Sequence, residues 1–352
     1  MPSSTSNFER PIPGHSWMVL LGAAACLAAL LLAAVEVGLR MRGYGPTVVD
    51  DRDLWALQHH ALARNRHAIA VLGNSQAQVG LSPAVLARRF PGADVRMLAL
   101  EGSSPVPVLF DLANDPAFVG SVICTIGAFD VLPLQFEEQA SMVRYSRREF
   151  SWDDAWNRRI ATWLQARAAL KDPYANPRRL IQERLATGRL PGPRPVLTKA
   201  DRSREVDHRM VPLASRTRSQ LDGFRALAAR AAGVSREEWH AYARALAGAA
   251  RAIESRGGAV VFIRLPLSGE SWAIEERAWP KSETWDAWVH AAGITASHFV
   301  DESRWASFHL PDLVHIDRVD IQAFSDTIAA VVASAHPHFA RGYRAPGERA
   351  DE

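Results

Sequence analysis

The stretch "HAIAVLGNSQAQVGLSP", His67 to Pro83, decides how the rest of the chain is read. Ala68–Leu72 is a short, mostly apolar run that ends on Gly73-Asn74-Ser75, the profile of a buried strand closed by a turn. A polar segment follows, and Ser82-Pro83 marks the start of a helix. Ser75 is thereby placed at the tip of a strand. In a parallel sheet covered by helices, that end is where ligands bind. Alone, a serine after Gly-Asn is an ordinary turn or N-cap residue.

The same rhythm continues along the chain. A helix is expected over Pro83–Phe90, a strand over Val95–Leu100 ending at Glu101-Gly102-Ser103-Ser104, a helix over Val106–Ala113 and a β-branched strand over Ser121–Gly127. Short apolar runs bounded by Gly or Pro suit the strands of a covered parallel sheet. Residues 132–234 change character. They are rich in Arg and Trp, broken by "LPGPRPVL", and read as a helical and loop insertion with patches such as Asp153–Leu170. Its Arg and Trp residues read as a solvated face and as pins of irregular structure, with ligand contact as the alternative. Ser235 and Glu238 then form a capping box for a long amphipathic helix. Ala259–Pro266 reads as the fourth strand, His298–Glu302 as the fifth and Ile321–Ala335 as a closing helix, with a polar tail at 336–352.

Composition narrows the function classes. The 352 residues are 48% hydrophobic, enough for a sizeable core, and carry a formal net charge of +3. The basic excess is arginine spread along the chain, so nucleic acid is not expected as a partner. Cys26 and Cys124 have no metal-ligand spacing, and neither a metal nor a cofactor is expected. No GxGxxG, P-loop or HExxH is present. After a short tail at 1–16, residues 17–39 read "WMVLLGAAACLAALLLAAVEVGL", long enough to cross a ~30 Å hydrocarbon layer. Arg40 and Arg42 follow at once, which favours an uncleaved anchor over a signal peptide, with the lipid bilayer as partner and 40–66 as a membrane-proximal linker. Arg10 on one flank and Arg40 and Arg42 on the other leave orientation undecided by charge.

A nucleophilic serine needs a base, and the base an orienting group. Near the C-terminus, "DLVHIDRVDIQAFS" places Asp312 and His315 three residues apart just before the closing helix. Together with Gly73-Asn74-Ser75, and in this order, the block resembles that of the SGNH (GDSL) hydrolases. The resemblance spans roughly 68–127 and 259–335. It implies a three-layer, flavodoxin-like α/β sandwich with a mostly parallel sheet, across 67–335 with the insertion unmatched. It assigns Ser75 as nucleophile, Gly102 as oxyanion glycine, Asp312 as orienting acid and His315 as base. The anchor and "LRMRGYGP" look like membrane-tethered bacterial members, which implies a single pass of the inner membrane and a domain outside the cytoplasm. The resemblance implies acyl esters or carbohydrate as substrates, those of exported polysaccharide among them, handled beside other membrane proteins of an export or acylation system.

Two departures from the family pattern stand out. Asn74 occupies the place of the usual Asp. The third block, usually Gly-x-Asn-Asp with an oxyanion-binding Asn, reads Gly127-Ala128-Phe129-Asp130. Arg264, at the end of the fourth strand, and Asn74 are the candidate substitutes for oxyanion or substrate binding, with a structural ion pair as the other reading of Arg264. Esterase and O-acyltransferase stay equally open. A catalytically silent glycan-binding or scaffolding protein, and a domain facing the cytoplasm, are the alternatives.

Overall fold

Residues 17–172 and 177–345 are described by a computed structural model; the expected tail at 1–16 and the last residues of the chain lie outside it. Among the described residues seven strands form in chain order: β1 (Ala68–Leu72), β2 (Asp94–Met97), β3 (Ser121–Thr125), β4 (Val196–Thr198), β5 (Arg204–Val206), β6 (Val260–Arg264) and β7 (Ala296–His298). Five of them build one parallel sheet in the order β2-β1-β3-β6-β7. The chain steps outward from β1 to β2 and then returns to the other side of β1. That reversal opens a crevice at the carboxyl ends of β1 and β3.

Alternation along the strands sorts side chains onto two apolar layers. Ala70, Leu72, Val122, Cys124, Val260 and Phe262 face one core, shared with Trp55, Leu109, Trp239 and Leu246. Ile69, Val71, Ile123, Val261 and Ile263 face the other, shared with Leu86, Phe324, Ile328 and Val332. The helices Arg52–His60, Val106–Asn114 and Arg236–Glu254 thus cover one face, and Pro83–Arg89 and Ile321–Ala335 the other. The result is the expected three-layer α/β sandwich. The Ser235–Glu238 capping box opens the Arg236–Glu254 helix as read from sequence.

Four local expectations need correction. The polar segment after Asn74, expected ahead of the first helix, is itself a short helix, Ser75–Gly80, nearly all of it buried. The fifth strand of the sheet ends at His298, and Phe299–Asp301 turns away as a 3-10 helix, because the aromatic pair His298 and Phe299 packs around Trp272 instead of continuing the ladder. The tail from 336 is not wholly polar. Pro337–Gly342 is helical and buries Phe339 against Phe90.

The fourth correction concerns the insertion, which holds a β4–β5 hairpin besides its helices. Strands of three residues are too short to show a period. Nor are all its arginines solvated: Arg202 is fully buried, with Nε 2.6 Å from Asp50 Oδ1 and Nη1 donating to the carbonyls of Met97 and Ala99. The hairpin and the linker are thereby fastened to the carboxyl end of β2. At the N-terminus, Trp17–Met41 is a single exposed helix, long and apolar enough to span a membrane.

Candidate active site

The nucleophile turn is built by crowding. A Cβ on Gly73 would lie 2.0 Å from Thr125 Oγ1 and 2.7 Å from Ala77 Cβ, so no side chain fits between β1 and its neighbours. Asn74 caps the Ser75–Gly80 helix, its Oδ1 accepting from Gln76 N at 2.9 Å. Ser75 therefore begins the helix, half-buried at the strand tip, where the sequence placed it.

The Asp312–His315 loop reaches the same point. His315 Nε2 is 2.9 Å from Ser75 Oγ, and His315 Nδ1 is 2.8 Å from Asp312 Oδ2. This spacing assigns the roles: Nδ1–H donates to the carboxylate, and Nε2 is left to accept from the serine hydroxyl. Leu313, between them, adopts φ 71°, a left-handed conformation that is costly for a branched side chain and folds the loop back on itself. The backbone N–H groups of Val314 and His315 both donate to Asp312 Oδ1.

Sequence reasoning missed one more partner of this carboxylate. Arg216, from the insertion helix Leu213–Ala231, donates Nε to Asp312 Oδ2 at 2.8 Å. Burial alone would raise the Asp312 carboxyl. The hydrogen bonds and charge of His315, with Arg216, outweigh it and hold the group well below the usual carboxylate range. Asp312 thus stays ionised in the folded chain near neutrality. Close by, His208 is buried with no hydrogen bond to either ring nitrogen. Burial pushes its imidazole down, against the pull of the Asp312 and Asp317 carboxylates.

The two candidate substitutes for the missing amide are otherwise engaged. Arg264 is buried and makes a bidentate pair with Glu275, Nε to Oε1 at 2.8 Å and Nη2 to Oε2 at 3.0 Å. Its Nη1 donates to Gln76 Oε1 and Leu265 O, both at 2.9 Å. The structural ion pair, not a free donor, is what the geometry presents. Asn74 spends its Oδ1 on the helix cap and its Nδ2 on Asp130 Oδ2 at 3.1 Å, so it shapes the turn. Gln76 was also missed. Its Nε2 donates to Pro266 O at 2.7 Å and Val314 O at 3.2 Å, tying the nucleophile helix to the β6 end and to the histidine loop.

Asp130 sits beneath this arrangement. Burial pushes its carboxyl up to about 6, against the Gly127 N–H, the Arg264 charge and Asn74, which all favour ionisation. A carboxyl raised by folding stabilises fully below its unfolded value and loses that contribution as pH rises through the folded one. The contribution of Asp130 should therefore fall by about 2 kcal/mol between pH 4 and pH 7. Asp130→Asn, which keeps an acceptor for Gly127 N, is expected to remove that slope. Urea unfolding of both proteins across that range in detergent would show it as converging or diverging curves, and parallel curves would contradict it.

A cavity opens beside Ser75, lined by Phe129, Phe224 and Leu227 on an apolar side and by Gln135, Gln220 and Arg230 on a polar one. Gly102 borders it too, at φ 69°, a conformation glycine adopts freely. Phe129, where the family pattern has an amide, presents a buried ring that packs edge-on against Phe224. Six of the sixteen residues lining this cavity come from the Leu213–Ala231 helix, whose sequence carries no recognisable motif.

No family model and no curated protein matches the chain. Among solved structures, a crystal structure of TesA is similar over 76% of this chain and 99% of that one, at 11% identity and a TM-score of 0.33.

Proposed function

We propose that the chain is an SGNH-type serine hydrolase or O-acyltransferase, held to a membrane by Trp17–Met41, that forms an acyl-enzyme on Ser75. The observation that carries this reading is the unbroken hydrogen-bond line from Ser75 Oγ through His315 to Asp312, at 2.9 and 2.8 Å. Three residues from opposite ends of the chain meet in donor–acceptor order, which a turn serine and a surface D-x-x-H have no reason to do.

In this mechanism His315 Nε2 takes the Ser75 proton as Oγ attacks the ester carbonyl, and ionised Asp312 stabilises the resulting imidazolium. The developing oxyanion faces the backbone N–H groups of Ser75 and Gly102. His315 then returns its proton to the leaving alcohol. Water or a carbohydrate hydroxyl, deprotonated by the same imidazole, attacks the acyl-enzyme and frees Ser75. The apolar wall of Phe129, Phe224 and Leu227 suits the acyl group, and Gln135, Gln220 and Arg230 suit a hydroxyl-rich acceptor. A domain outside the cytoplasm, working on acyl esters of exported carbohydrate beside other envelope proteins, is consistent with these features.

Phe129 favours a second reading, a catalytically silent protein that binds glycan, because loss of an oxyanion donor costs on the order of 3 kcal/mol of transition-state stabilisation. Incubating the protein with p-nitrophenyl acetate separates the two. Catalysis predicts p-nitrophenolate release and an acetyl group on the Ser75 peptide; a silent protein gives neither. Adding a carbohydrate acceptor then distinguishes transfer, which yields acetylated sugar, from hydrolysis, which yields acetate alone.

A further inference from the structure

The helix Trp152–Gln165 is built inside out. Its inward face is polar: Arg158 is buried, with Nη1 2.7 Å from Asp51 Oδ2, Nη2 2.7 Å from Val49 O and Nε 3.1 Å from Thr162 Oγ1. Gln165 Oε1 accepts from Val49 N. The large apolar residues point the other way, with Trp152 73% exposed, Trp156 46%, Ile160 57% and Trp163 56%. At ~100° per residue these four fall within an arc of about 80°. A helix on a water-facing surface has the reverse arrangement, so this stripe is shaped for a cover.

Continuity with the N-terminal helix says what the cover is. Arg40 Nη2 donates to Arg167 O at 2.7 Å, one turn beyond Trp163. Glu36, inside the apolar helix, accepts from the backbone N–H groups of Ala169 and Leu170, both at 2.9 Å. Leu39, Tyr44 and Ala169 close a small core there, with Leu180 packed against it. The following helix, Pro177–Thr187, again exposes its apolar residues Ile181 and Leu185. Between 158 and 194 the chain carries nine Arg or Lys residues and two acidic ones. The guanidinium of Arg167 stands 4.5 Å over the Trp163 ring. Tryptophan and arginine at the end of a spanning helix are the composition of the membrane–water interface, where rings sit at headgroup depth and guanidiniums meet phosphate.

We infer that the Trp152–Gln165 helix, with Ile181 and Leu185, lies in the headgroup layer of the same bilayer that Trp17–Met41 crosses. The catalytic domain is then docked on the membrane in a fixed orientation, not swung from a flexible tether. The inference rests on Trp17–Met41 spanning a bilayer, and the two fail differently.

The test uses the full chain in vesicles of equal parts phosphatidylcholine and phosphatidylglycerol. Ile160→Cys and, for reference, Val319→Cys are spin-labelled in a Cys26→Ala background; Cys124 is buried. Both labelled sites are exposed, so neither change disturbs the core. The ratio of collision with oxygen to collision with a water-soluble nickel chelate should be at least about threefold higher at 160 than at 319, as for an interfacial helix. Equal ratios in protein that floats with the vesicles overturn the docking while leaving the anchor intact. Protein that does not float overturns the anchor. Shielding at 160 in native membranes but not in these vesicles also overturns it, in favour of a protein partner.

Discussion

Ser75→Ala is expected to lower kcat on a short p-nitrophenyl ester by about four orders of magnitude or more, and His315→Ala by a similar factor, because the members of a nucleophile–base unit fail together. The double variant should be no worse than either single one. Both positions lie at strand ends or on loops, with the core layers elsewhere, so the melting temperature should move little. Steady-state kinetics beside a thermal melt reads both quantities. Residual activity with a large loss of stability would make the two residues structural and would leave the Asp312 loop without a chemical purpose.

The second large effect concerns Arg264, and it falls on stability. Arg264→Ala leaves Glu275 as a buried charge with no counter-ion, which costs about 3–5 kcal/mol. For a domain of this size that is a fall of roughly 10 °C in melting temperature. Replacing both partners, Arg264→Met with Glu275→Leu, should recover most of it, because a buried pair removed whole is often close to neutral. An opposite pattern, with kcat and kcat/KM falling together by about a hundredfold and the melting temperature unchanged, would return Arg264 to the oxyanion. The geometry argues against that pattern: four hydrogen bonds to Glu275, Gln76 and Leu265 already fix the guanidinium.

These two cases show where the sequence was legible. Strands such as Ala68–Leu72 and Ser121–Thr125 are short apolar runs between Gly and polar residues, and both are buried at every position, so periodicity and punctuation were enough. Ser75, Asp312 and His315 could be picked out because each stands in a local block with a fixed offset. Arg264 was visible as an arginine at a strand end, but its partner Glu275 lies on the next helix, and nothing local distinguishes that pairing from a free donor. Arg216 is harder still. It comes from an insertion with no motif, 96 residues before the carboxylate it touches. Asn74 had a usable signal: an Asn in the place of an Asp, with an acid retained at Asp130, and in the fold these two bond to each other. The β4–β5 hairpin had none, since its place is set by the buried Arg202–Asp50 pair and not by its own six residues.

The inverted face of Trp152–Gln165 illustrates the same limit from another side. The sequence shows apolar residues at helical spacing, which reads equally as a core-facing stripe. Only the burial of Arg158 and Thr162 on the opposite side reveals which face is turned outward.

The central claim is that Ser75 is a nucleophile activated by His315. It is tested most directly by treating the purified protein with a fluorophosphonate and mapping the adduct by peptide mass spectrometry. The account predicts one adduct, on the Ser75 peptide, formed by wild type, absent in Ser75→Ala and slowed by orders of magnitude in His315→Ala. No adduct in folded wild-type protein, or an adduct that persists in Ser75→Ala, would contradict it.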